Sequence, residues 1–226
     1  VDVAEKEPLA AMQVNGLAVR HMAVCCRDSG ATLLHFSTDH VFDGTKSTPY
    51  TEQDTPRPVS AYGVSKLAGE LYVQAYLERA YVVRTAGVFG PAGRATNRGN
   101  FLELMLRMAA EGRAIRVVED FYASPTYASA LAARSLDLLE KVPFGLYHIG
   151  GGCEISWYAY ALMIFAEAGV RAEISPTNET EYATPARRPK YSVLSNAKIE
   201  AAGLKPMPPL EEAVREYLKN RRISES

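Results

Sequence analysis

No run in these 226 residues reaches the ~18 consecutive apolar positions that a membrane-spanning helix needs. The opening stretch, "VDVAEKEPLA", lacks the basic start and apolar core of a secretion signal. An excess of one charge is missing too. Lys and Arg number 25 against 26 Asp and Glu, a net charge of −1, which leaves no electrostatic footprint for nucleic acid or an anionic membrane. The basic run at Arg187–Arg188 is too short to track a phosphate backbone. Cysteine is scarce, odd in number and without metal-like spacing: Cys25 and Cys26 are adjacent and Cys153 stands apart. That excludes a disulfide framework and points to reduced thiols in a cytoplasmic protein. There is no repeat of fixed period and no low-complexity tract.

What is present is ordinary globular material, 47% hydrophobic and 23% charged. Its length suits one large domain, or a main domain with a smaller lobe. Apolar residues recur at helical spacing through "PLAAMQVNGLAVRHMAVCCRDSG", and "ATLLHFST" then reads as a short buried strand. A loop rich in Gly, Pro, Thr and Asp leads to Ser60, where a helix starts through "AYGVSKLAGELYVQAYLER". "AYVVRTAGVFG", "AIRVVE" and "GLYHIGG" read as further strands. "NFLELMLRMAAEG", "TYASALAARSLDLLEK", "SWYAYALMIFAEAG" and "PLEEAVREYLKN" read as helices between and after them. This alternation predicts an α/β fold with a doubly wound parallel sheet of Rossmann type. Residues 1–150 would form the carboxyl-terminal part of a dinucleotide-binding domain. Residues 151–226 would mainly form a small substrate-binding lobe, with the loop near "GPAGRATNRGN" joining it.

The chemistry concentrates in "SAYGVSKLAGE", Ser60–Glu70. Tyr62 and Lys66 are four residues apart, on one face of the helix. A free phenol titrates near ~10 and is a weak acid at neutral pH. A neighbouring ammonium favours the phenolate and lowers that value, giving a group able to protonate a nascent alkoxide. Thr38, at the end of the preceding strand, could hold the same substrate oxygen. Ala61, Gly63, Ser65, Ala68 and Gly69 around the pair would let another backbone or a flat ligand approach closely.

These residues resemble the extended short-chain dehydrogenase/reductases, and within them the dTDP-4-dehydrorhamnose reductase family. The resemblance rests on "FSTDHVFDGTKSTPYTEQDTPRPVSAYGVSKLAGE", "VVRTAGVFG", "GNFLELMLRMAAEG", "RVVEDFYASPTYASALA", "GLYHIGG" and "PARRPKYSVLSNAKIEAAG". It implies a catalytic set of Thr38, Tyr62 and Lys66. NADPH or NADH would reduce the C4 ketone of a nucleotide-linked 4-dehydro-6-deoxy sugar. It places Ser37 and Thr85, with Tyr62 and Lys66, near the nicotinamide, and Asp39 and His40 near the sugar. Asn100 and Arg188 would face the nucleotide diphosphate, a task that suits a planar guanidinium. Magnesium is described at a dimer contact in some relatives, but no ligands for it are identified here, and no metal site is expected. A homodimer is compatible with the sequence, and so is a monomer.

Three departures accompany the likeness. Gly87 stands where relatives carry a tryptophan beside the sugar, and His40 where a tyrosine is common. The third is the lack of the glycine-rich strand–turn–helix that receives a cofactor pyrophosphate. A sheet without its first strands would have an open apolar edge, so these residues are expected to be part of a chain of roughly 290. A true deletion stabilised by a partner chain is the alternative. For function, the alternatives are a nucleotide-sugar epimerase of the same superfamily, or a non-catalytic relative such as a methionine adenosyltransferase regulatory subunit.

Overall fold

The computed structural model describes residues 1–95 and 99–223. Two short helices, α1 (Asp2–Lys6) and α2 (Pro8–Met12), lead through a π-helical turn at Gln13–Leu17 into α3 (Ala18–Ser29). The expected single helix is thus interrupted at its middle. The turn lies against the helix of the Tyr–Lys pair, and Asn15 Nδ2 donates to Ser65 Oγ at 3.1 Å. Gly30 closes α3 in the left-handed conformation, as its sequence position predicts.

β1 (Leu33–Thr38) follows, then α4 (Ala61–Tyr76) and β2 (Ala80–Thr85). Ser60 starts α4 as its N-cap, its Oγ accepting from Gly63 N at 3.2 Å. β2 is buried along its whole length, whereas Phe36 of β1 is 42% exposed. The main sheet is completed by a later strand, β7 (Gly145–His148), so its order is β1-β2-β7, all parallel. Ser37, Arg84 and His148 fall on one register row, and Thr38 pairs with Thr85 on the next.

The run "AYVVRTAGVFG" does not continue as one strand. Gly87, at φ +50°, turns the chain out of the sheet, and β3 (Val88–Phe89) pairs instead with β6 (Thr126–Tyr127). Between these come α5 (Phe101–Ala110), β4 (Ile115–Val118) and β5 (Tyr122–Ala123). After β6 the order is α6 (Ala128–Lys141), β7 (Gly145–His148), β8 (Ile155–Ser156), α7 (Trp157–Ala168) and β9 (Ile174–Thr177). The short α8 (Ala197–Ala201) and the final α9 (Leu210–Ile223) end the fold. β4 does not extend the main sheet either; it pairs with β9 in a separate two-stranded parallel ribbon.

The cores explain this division. One cluster, with Tyr81, Val83, Leu131, Leu138, Tyr147 and Ile149, packs α6 under β2 and β7. Val19, Val73, Ala80 and Val82 pack α3 and α4 on the other face. A separate cluster gathers Phe89, Leu102, Ile115, Tyr160, Ile164, Val214 and Tyr217 from α5, α7, α9 and the short strands between them. This lobe therefore draws on segments both before and after residue 150. Part of the loop expected to join it, residues 96–98, lies outside the described residues. All three cysteines are free, and burial pushes the Cys153 thiol up to about 11.

Candidate active site

β1 ends in Thr38, Asp39 and His40, and a 3₁₀ turn at Asp39–Val41 starts with Thr38 as its cap. Thr38 Oγ1 accepts from His40 N at 3.2 Å and donates to Asp39 Oδ1 at 3.1 Å. The turn sits directly on α4. A methyl group at Gly63 would lie 2.2 Å from the His40 carbonyl oxygen, so only glycine lets helix and turn come this close. The small residues around the Tyr–Lys pair thus admit a backbone, one of the two partners their size predicts.

This contact brings the catalytic candidates together. The Tyr62 ring meets the His40 ring edge-on, centroids 5.6 Å apart, and the Thr38 side chain lies close enough to act on the phenol's acidity. Burial raises the phenol above its ordinary value of 10, Thr38 opposes that shift and the Asp39 carboxylate adds to it. The expected lowering by Lys66 is not what the geometry produces. The Lys66 ammonium donates to the Phe36 carbonyl at 2.6 Å, and burial lowers its own pKa while Glu70 opposes. Tyr62 therefore holds its proton firmly at neutral pH.

Thr85 stands beside Thr38, and among the described residues its buried Oγ1 has no hydrogen-bond partner. Nδ1 of His40 is in the same condition. Burial lowers the His40 pKa, Asp39 opposes this, and the Arg188 charge adds to the lowering, which places Arg188 at this end of the site. Both unpartnered atoms sit among the residues expected to meet a ligand.

Other candidates are committed elsewhere. The Ser37 hydroxyl donates to Glu70, a partner within the fold. Asn100 caps α5, with Oδ1 accepting from Glu103 N at 3.0 Å and Nδ2 donating to Gly90 O at 3.2 Å. Both ends of that amide have main-chain partners. Arg188 donates to Asp2 Oδ2 at 2.8 Å, to Thr184 and to the Ala186 carbonyl. At Gly87 a Cβ would lie 3.3 Å from both Pro125 Cα and Trp157 Cη2, so the indole packs close against the glycine.

The residues missed from sequence form a buried polar group behind the site. Glu70 receives Arg84 Nε at 2.9 Å and Nη2 at 2.6 Å, with both side chains at most 3% exposed. Arg84 also lies over the Phe42 ring at 5.1 Å. His148 Nδ1 faces the Tyr50 carbonyl at 3.1 Å. The signal was available: an arginine inside the buried strand "AYVVRT" requires a carboxylate partner. The loop between β1 and α4 is tied down as well. Tyr50 stacks on Phe42 and donates to Asp43, and Lys46 pairs with Asp54 at 2.8 Å.

Residues 1–223 match the RmlD substrate binding domain family. The spore coat polysaccharide biosynthesis protein SpsK of Bacillus subtilis is 38% identical over 98% of this chain and 76% of its own. A dTDP-4-dehydrorhamnose reductase of Streptomyces griseus is 40% identical over 92% of this chain and 69% of its own. The crystal structure of a Bacillus anthracis dTDP-4-dehydrorhamnose reductase in complex with NADP superimposes with a TM-score of 0.91 at 33% identity, covering 97% of this chain and 76% of that one. No described helix is long and apolar enough to cross a membrane. With its Thr38–Tyr62–Lys66 cluster at the carboxyl end of a parallel sheet, the chain belongs to the RmlD substrate-binding-domain family, among the dTDP-4-dehydrorhamnose reductases of the short-chain dehydrogenase/reductase type.

Proposed function

We propose that this chain carries the catalytic and sugar-binding part of an NADPH-dependent reductase that converts the C4 ketone of dTDP-4-dehydrorhamnose to an alcohol. The observation that carries this reading is the meeting of Thr38 and Tyr62 at the strand end, with Lys66 on the same helix face. The residues present fit a nicotinamide ribose: among the described residues Thr85 offers a buried hydroxyl without a hydrogen-bond partner, and Lys66 an ammonium held by one main-chain carbonyl. Bound there, the nicotinamide supplies the hydride. The chain's own residues handle the oxygen and its proton. Thr38 holds the substrate oxygen by a hydrogen bond and Tyr62 gives it a proton. A phenol kept above 10 by burial is fully protonated at neutral pH, the state that reduction needs.

Asp39 and His40 would then face the sugar, Arg188 the diphosphate, and the lobe of α5, α7 and α9 would close over the nucleotide. The cytoplasm, where nucleotide sugars are made, is the compartment this reading assigns, and no nucleic acid or membrane enters it. The test is NADPH oxidation at its absorbance band with dTDP-4-dehydrorhamnose. Turnover that Tyr62→Phe lowers by at least about 10²-fold supports the reading. Conversion of the sugar without net NADPH oxidation would replace it with an epimerase.

A further inference from the structure

Tyr62, Lys66 and Glu70 form one stripe along α4, each a turn from the next. The first two belong to the proposed chemistry and the third does not. Yet Glu70 is 1% exposed, clamped by Nε and Nη2 of Arg84 from β2 and by Ser37 from β1. A buried ion pair of this kind is a poor source of stability, because desolvating both charges offsets most of their attraction. Apolar side chains of similar volume would pack α4 against the sheet as well. The pair also links the two strands that bear Thr38 and Thr85 to the helix that bears Tyr62 and Lys66.

We propose that Glu70 is a positioning residue of the reductase site: pinned by Arg84 and Ser37, it sets where α4 lies along β1 and keeps a negative charge one turn from the Lys66 ammonium. Lys66 is half-buried, and among the described residues its ammonium has the Phe36 carbonyl as its one hydrogen-bond acceptor. The groups facing it are few. His35 approaches from β1, neutral at physiological pH because burial and Lys66 itself lower its pKa to about 4. Tyr62 precedes it on the helix and is uncharged. Arg84, from β2, has its charge directed at Glu70. The π-helical turn contributes the uncharged Asn15, spent on Ser65. Glu70 is therefore the carboxylate that keeps Lys66 protonated.

The proposal rests on the reductase reading for its meaning, but its test does not need turnover. The Lys66 ammonium is titrated by NMR of ¹³Cε-labelled lysine, with the signal identified by its loss in Lys66→Arg. In Glu70→Gln the Lys66 titration should move to lower pH, and in Glu70→Asp it should stay near the wild-type position. The exchange Glu70→Arg with Arg84→Glu retains an ion pair while reversing the charge beside Lys66. It should lower the titration further and, in the intact reductase, carry the alkaline limb of kcat/KM with it. If Glu70→Gln does not fold, the exchanged pair decides. An unshifted Lys66 titration in a folded variant, or an exchanged pair that restores the wild-type titration, would overturn the proposal. An inactive wild type would count against the reductase reading and leave this outcome standing.

Discussion

Thr38 and Thr85 are register partners across β1 and β2, and among the described residues only Thr38 has hydrogen-bond partners for its hydroxyl. The two should therefore respond differently to the same substitution. Thr38→Val removes the hydroxyl proposed to hold the reacting oxygen and should lower kcat by about 10²-fold. Thr85→Val loses no internal hydrogen bond, so its melting temperature should hold or rise while KM for NADPH increases. Initial rates and thermal melts on both variants check this. Equal loss of kcat in the two would contradict it.

Gly63 is where α4 and the His40 turn touch. Gly63→Ala forces a methyl group to within 2.2 Å of a main-chain oxygen, so helix or turn must shift. The expected cost is about 1–3 kcal/mol in denaturant unfolding. Turnover should fall with it, because Thr38 and Tyr62 sit on opposite sides of that contact. An alanine variant of unchanged stability would show that the turn has room.

Two buried histidines predict acid sensitivity. Desolvation depresses His35 to about 4 and His148 to about 3, against an ordinary value of 6.5. The unfolded chain then takes up protons that the folded one refuses. The stability they contribute is complete above 6.5 and drains as pH falls towards those values, at up to about 1.4 kcal/mol per pH unit for each histidine. His148→Gln should flatten the pH dependence of chemical denaturation below about pH 6.5. A slope identical to the parent would exclude His148 as a contributor.

Asn100 gives a prediction against the family expectation. Its amide is used at both ends, as the cap of α5 and as a donor to Gly90 O. Asn100→Ala should cost about 1 kcal/mol of stability. Asn100→Ser restores the capping oxygen and should recover most of it, with KM for the nucleotide sugar unchanged in both. A rise in KM without loss of stability would return Asn100 to the diphosphate.

The sequence was legible where periodicity and capping speak for themselves. Ser60 as N-cap, Gly30 as C-cap, and the burial of β2 follow from pattern alone. Less legible was anything decided by a partner far along the chain. Gly87 breaks an apparently continuous strand only because β6 is there to receive Val88 and Phe89. "AIRVVE" has a strand's composition whichever sheet it joins, and β9 claims it. Ser37 reads as a strand-end hydroxyl until Glu70, 33 residues on, takes it. Lys66 and Tyr62 share a face as their spacing demands, but spacing does not reveal that Phe36 O captures the ammonium.

The lobe's aromatic core has a consequence for synthesis. Phe89 and Tyr127 close on Tyr217, at centroid separations of 5.9 and 6.3 Å, so the first half of that core waits for a residue made 128 positions after Phe89 and 90 after Tyr127. While the chain is still being translated, Phe89, Leu102 and Tyr160 have nothing to settle against from α9. Nascent chains stalled before Leu210 should expose this apolar surface and recruit chaperones, and release of the last helix should end that recruitment.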